Sequence, residues 1–268
     1  MSNYVVTPSE AAQLTLVFTS QGDRTVTQRA IAQPPLQLSR LRYDDPADSG
    51  RAAVTLLHQA GVVQGDCYVL DITAGGCSRA TLATAAATQV YRAPEHGAEQ
   101  HVHLDIGEHA SFRYLPEPLI LCAGADFRQV TNVRLAPTAS LILLDVLVPG
   151  RLQRGELWRF HRFCSALTVT AADGHLLVAE RSDLRPDGQN WVGTGISEAP
   201  VVGSAYLLGR SYPPLLPALR REVSSTLLGV DLLPNQAGVI VRMLGSSGSA
   251  VRRALLGIIE GVEQVRTR

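Results

Sequence analysis

The chain has 268 residues, 46% of them hydrophobic, with 24 basic and 24 acidic side chains and a formal net charge of zero. That apolar share supports a sizeable core and argues against disorder, and the balanced charge without a basic block argues against a nucleic-acid or anionic-membrane surface. Every basic residue is arginine, which excludes chemistry through a Schiff-base lysine or a phosphate-loop lysine.

In chain order, short alternating or apolar runs at 14–19, 24–32, 36–42 and 52–57 predict β-strands, separated by turns at Pro34-Pro35 and across 44–50. The stretch from His58 to Arg92 organises the rest of the chain. A glycine-spaced turn, Gly61-Val62-Val63-Gln64-Gly65-Asp66, leads into the alternating run Tyr68–Thr73, a small-residue turn at Ala74-Gly75-Gly76, and the ladders Arg79–Thr84 and Thr88–Arg92. Runs at 100–106, 110–115, 119–122 and 127–135 continue the pattern. Leu141–Val148 is apolar on both faces except at Asp145, the mark of a central strand. Further strands are expected at 157–163, 167–171 and 176–182, the last two joined by an Asp173-Gly174 hairpin turn.

Two stretches break this rhythm. Pro213–Leu228 places Leu216, Leu219, Val223 and Leu227 on one helical face, and Ser246–Val265 does the same with Val251, Leu255, Ile258, Ile259 and Val262. A strand at 238–243 lies between them. The reading is a mainly β protein of many short strands with a helix–strand–helix ending, in a single domain: a β body over about 14–210 and a helical part over about 213–268. No sequence repeat of fixed period is visible.

Cys67, Cys77, Cys122 and Cys164 show no Cys-x-x-Cys spacing and read as free thiols of a reducing compartment. The first residues carry no basic stretch followed by an apolar run, and apolar runs are only strand length. A cytoplasmic protein is the expectation.

Catalytic motifs are missing. Gly65 is followed by Asp66 and a strand, unlike a phosphate loop, and Gly245-Ser246-Ser247-Gly248-Ser249 is out of register for a serine nucleophile. His101 and His103 alternate on one strand face and could hold a divalent metal with a third ligand, although an exposed polar face is the plainer reading. Asp66, Asp145 and Glu180 stand out more, because an unpaired charge in an apolar strand is costly. Either each pairs with an arginine such as Arg151 or Arg181, or they line an internal polar passage whose weak oxygen ligands hand a cation along.

The Gly61–Asp66 turn, the Thr84-x-x-x-Thr88-x-Val90-Tyr91-Arg92 ladder, Leu115–Ile120 and Gly150-Arg151-x-x-x-Gly155-Glu156 together resemble the urease accessory protein family UreD, also called UreH. The resemblance runs from about Asp23 to the last helix. It implies a β-helix-like, stacked-sheet body with a pair of helices and a non-enzymatic chaperone of urease maturation. Such a chaperone binds apo-urease and the UreF-type and UreG-type partners, with no tightly bound cofactor and nickel in transit. By matching motifs, Asp66, Thr84, Thr88, Asp145, Arg151 and Glu180 fall along or beside the nickel path. The C-terminal helix, with Val251, Leu255, Ile258, Ile259 and Val262, is the expected partner-docking element. The chain departs from the family pattern at Ala60, Gln64, Gln89 and Asp145. Competing readings are a stand-alone β-sandwich or barrel binding a small molecule, and a hydrolase using Asp66 with a histidine.

Overall fold

The structure, a computed structural model, describes residues 12–186, 199–222 and 227–266. The first residues of the chain and Val223 therefore lie outside the described residues. In chain order the strands are β1 (Ala12–Gln21), β2 (Arg24–Ala32), β3 (Leu36–Leu38), β4 (Ala52–His58), β5 (Cys67–Ala74), β6 (Arg79–Thr84), β7 (Thr88–Val90), β8 (Ala98–Ile106) and β9 (Ser111–Leu115). They continue as β10 (Leu119–Leu121), β11 (Asp126–Leu135), β12 (Ser140–Val148), β13 (Arg162–Ala171), β14 (Leu176–Leu184) and β15 (Val201–Leu208). Helix α1 (Leu216–Glu222), strands β16 (Leu228–Leu232) and β17 (Gly238–Gly245) and helix α2 (Gly248–Arg266) complete the described chain.

From β4 to β13 the chain passes back and forth between two sheets. The first runs β14-β13-β11-β8-β5-β1-β2 and the second β16-β17-β15-β12-β9-β6-β4-β3, with β7 and β10 branching from β12. Within each sheet the middle strands are parallel. The chain therefore coils, laying one strand of each sheet per turn, and antiparallel strands close the ends. This is the stacked, helix-like β body that the family resemblance implies. The turns are unequal: Leu70 lies beside Val102, Val102 beside Thr131, and Thr131 beside Leu167. A coil whose turns differ in length leaves no repeat in the sequence, although its strands stay in register.

Alternation explains the core between the sheets. Leu70, Ile72 and Ala74 of β5 point inward with Leu82 of β6, Phe112 of β9, Phe127 of β11 and Leu141 and Leu143 of β12. Strand β12 is apolar on its other face too, because Ile142, Leu144, Val146 and Val148 belong to a second core under α2. The helix approaches closely because β15 has Gly203, where a Cβ would stand 2.4 Å from Val251 Cγ1 and 2.7 Å from Leu255 Cδ1. Arginines fix its polar edge. Arg252 donates to the carbonyls of Leu115 and Pro116 and pairs with Glu117, while Arg113 of β9 bridges Asp45 and Glu263.

Two expectations are corrected. Leu157–His161 is not strand: Trp158 adopts a left-handed φ of 55°, which breaks extended backbone, and β13 runs unbroken from Arg162 to Ala171. The helix expected to reach Leu228 is a short 3-10 turn, Pro213–Leu215, followed by α1 ending at Glu222; Leu228 instead opens β16, paired with β17. Short apolar runs satisfy either period, and here sheet pairing wins. Strand β15, buried along nearly its whole length, was not anticipated.

Candidate functional site

The inward face of the first sheet is not uniformly apolar. Tyr68, Gln100, Gln129, Ser165 and Ser182 stand side by side across β5, β8, β11, β13 and β14, one residue from each. They share the inward pleat with Leu70, Phe127 and Leu167, so they form a polar row along the coil axis inside the body. The neighbouring inward row, Leu70–Val102–Thr131–Leu167–Glu180, adds the buried hydroxyl of Thr131 and ends on a carboxylate.

The second sheet answers from the opposite side. Leu82, Tyr114 and Leu143 form one inward row, and the next inward positions on β6 and β12 are Thr84 and Asp145. Asp145 is registered with Ser204 of β15, and Ser204 with Arg242 of β17. At this end the two sheets meet through side chains. Glu180 Oε2 accepts a hydrogen bond from Tyr206 Oη at 3.1 Å, and Glu180 Oε1 is paired with Arg242. Burial first, and the charge of Glu180 second, push the Asp145 carboxyl up to about 6. Burial and the same carboxylates raise the Tyr206 phenol, and burial with Asp145 raises that of Tyr114. Both phenols therefore remain hydrogen-bond donors beside acidic oxygens.

The shift of Asp145 has a consequence for stability. Its folded-state value lies above the unfolded 3.8, so the folded chain holds the proton more tightly and ionisation destabilises the fold. A shift of that size costs about 3 kcal/mol at pH above 6, and the cost fades as pH falls toward 4. Asp145→Asn is accordingly expected to raise the unfolding midpoint at pH 8 and to lose that advantage at pH 4. A gain independent of pH in denaturant titrations would rule out this account.

The remaining sequence candidates are placed unevenly. Asp66 accepts from the Val63 amide at 2.8 Å and from Tyr68 Oη at 2.5 Å, so it clasps its own turn and touches only the first member of the inward row. Thr84 accepts from the Glu117 amide at 2.8 Å. Thr88 lines a cavity of about 160 Å³ with Gln37, His58 and Gln59. The ring of His58 stands edge-on to Tyr68, 4.7 Å between centroids. Arg151 lies apart from this row, paired with Glu156. His101 and His103 do share one face, but it is the outer one, and each is tied to a carboxylate: Glu99 at 3.0 Å and Asp71 at 2.8 Å. Among the described residues no group of three or more His, Cys, Asp or Glu is placed to hold a metal.

The expected docking face of the C-terminal helix needs correction. Val251, Leu255, Ile259 and Val262 are buried in the chain's own second core and Ile258 packs against it, so this stripe is already covered. The outward side of α2 carries Arg253, Gly257, Glu260, Gln264 and Val265. Sequence reading missed Tyr206, Arg242, Ser204, Thr131, Gln100 and Gln129. The available signal was polar side chains spaced two apart from core leucines and phenylalanines, as at Phe127-x-Gln129-x-Thr131.

Comparison with known sequences gives one consistent result. The profile described as "UreD urease accessory protein" matches residues 10–267. A protein named urease accessory protein UreD 2 from Streptomyces griseus is 31% identical over 276 aligned positions, covering 97% of this chain and 92% of the relative. Urease accessory protein UreD of Haloarcula marismortui is 32% identical, covering 94% of this chain and 85% of the relative. A UreD 2 from Brucella suis is 28% identical over 94% of this chain and 87% of the relative.

Proposed function

The chain belongs to the UreD urease accessory protein family, and from that premise we propose that it serves urease maturation as a non-catalytic chaperone that binds apo-urease and UreF-type and UreG-type partners and passes nickel through its β body. The observation that supports the nickel step is the inward polar row Tyr68–Gln100–Gln129–Ser165–Ser182, beside whose far end stand Glu180 of the neighbouring row and, from the second sheet, Asp145 and Tyr206. Carboxylate, hydroxyl and amide oxygens bind a borderline cation weakly, so it moves on; a cluster of thiolate and imidazole would retain it. Asp66 and Thr88 belong at the opposite end, by Tyr68 and the cavity beside His58.

Energy for the transfer comes from elsewhere. The chain has no lysine and no phosphate loop, so nucleotide hydrolysis falls to a partner. That partner assembly docks on outward surface, since the apolar face of α2 is spent within the fold. The direct test is complementation of a urease-expressing strain that lacks only this chain. Urease activity is expected to collapse without it and to return with the wild-type gene; equal activity in both strains would defeat the reading.

A further inference from the structure

The carboxylate that ends the inward row is already neutralised. Arg242 extends from β17 in the second sheet to Glu180 of β14 in the first, and Tyr206 holds the other oxygen of the same carboxylate. Asp145 lies close enough for Glu180 to perturb it, yet Arg242 is the only cation that the described structure pairs with Glu180. We propose that Arg242 is a latch: its guanidinium occupies the cation position of Glu180 in the free chain, and a divalent metal gains that position only by displacing it. The proposal rests on the nickel passage and adds a regulation to it.

Three observations favour displacement over a permanent structural pair. First, the side chains are 50% and 32% exposed, so a released guanidinium returns to water easily. Second, a divalent ion brings twice the charge of a guanidinium to a site with two carboxylates, Asp145 and Glu180, and a phenol donor that stays in place. Third, other arginine pairs of the chain are built more firmly. Arg162 grips both oxygens of Asp183 at 2.9 Å, and Arg51 is almost fully buried and bonded to Ser111. Arg242 instead meets only one oxygen of Glu180, through one nitrogen, and its further hydrogen bond is to the Tyr206 hydroxyl, not to the carboxylate. A guanidinium keeps its charge at any physiological pH, so the latch is released by metal or by a partner that recruits Arg242, and not by loss of its own charge.

Equilibrium dialysis of the full chain against nickel chloride at pH 7.5 tests this. Arg242→Gln is expected to retain one equivalent of nickel on the order of tenfold more tightly than wild type, and Glu180→Gln added to it is expected to abolish the gain. Arg242→Lys, which restores the charge, should stay near wild type and guards against a folding artefact in the glutamine variant. Nickel retention by Arg242→Gln equal to wild type, with its melting curve intact, overturns the latch. Failure of the underlying passage would look different: Asp145→Asn and Glu180→Gln would then activate urease normally, whatever Arg242 does.

Discussion

Removing residues 248–268 is expected to unfold the C-terminal half of the molecule, not merely to weaken a partner contact. The segment supplies Val251, Leu255, Ile259 and Val262, each at most 4% exposed, to the core formed with β12, β15 and β17. Truncating one such buried aliphatic side chain typically costs about 2–5 kcal/mol, and whole domains are stable by only about 5–15 kcal/mol. Leu255→Ala alone should therefore lower the denaturant midpoint clearly, and the truncated chain should lose its cooperative transition. A truncated protein that still unfolds sharply would show that the helix is dispensable to the fold. For the same reason, loss of UreF-type binding after truncation cannot locate the interface. Substitutions at outward positions such as Arg253 and Glu260 can, because they leave the buried stripe intact.

The second large effect concerns nickel. Replacing Asp145 and Glu180 together with Asn and Gln keeps volume and hydrogen-bonding capacity but removes both negative charges from the end of the inward row. Two charges at about 4 Å attract by roughly 4 kcal/mol in a partly shielded protein site. Losing such attraction on two carboxylates is expected to cut the rate of urease activation by at least about tenfold. Co-purification with apo-urease and the UreF-type partner should persist, since neither residue is on the outer surface pleat. Unimpaired activation by the double variant would remove these carboxylates from the nickel route.

Much of this arrangement was legible in the sequence, and the limits have physical causes. Strand positions followed from period-two alternation, and Leu141–Val148 was recognisable as central because both its faces are apolar. Asp145 drew notice for the same reason: it is a charge in the wrong place. The sheet to which each middle strand belongs was not legible, because from β4 to β13 the chain passes back and forth between the sheets and each parallel strand finds its partner a full turn away. The inward polar row was hidden by that geometry. Gln100 and Gln129 read locally as surface residues, and only the pairing of β8 with β11 reveals that they face the same interior. The C-terminal helix misled in the opposite direction. Its apolar stripe was correctly identified, but a stripe alone does not say whether a partner or the chain's own sheet will cover it. Asp66 was conspicuous beside two glycines, and its bonds to Val63 and Tyr68 show a local turn clasp.

The order in which the site's parts occur along the polypeptide has a bearing on biosynthesis. Asp145 arrives on β12, Glu180 on β14, Tyr206 on β15 and Arg242 on β17, the last strand before the final helix. A ribosome-bound product that has completed β14 thus carries both carboxylates but not Arg242, so on the latch reading the acidic end stands uncovered until β17 is made.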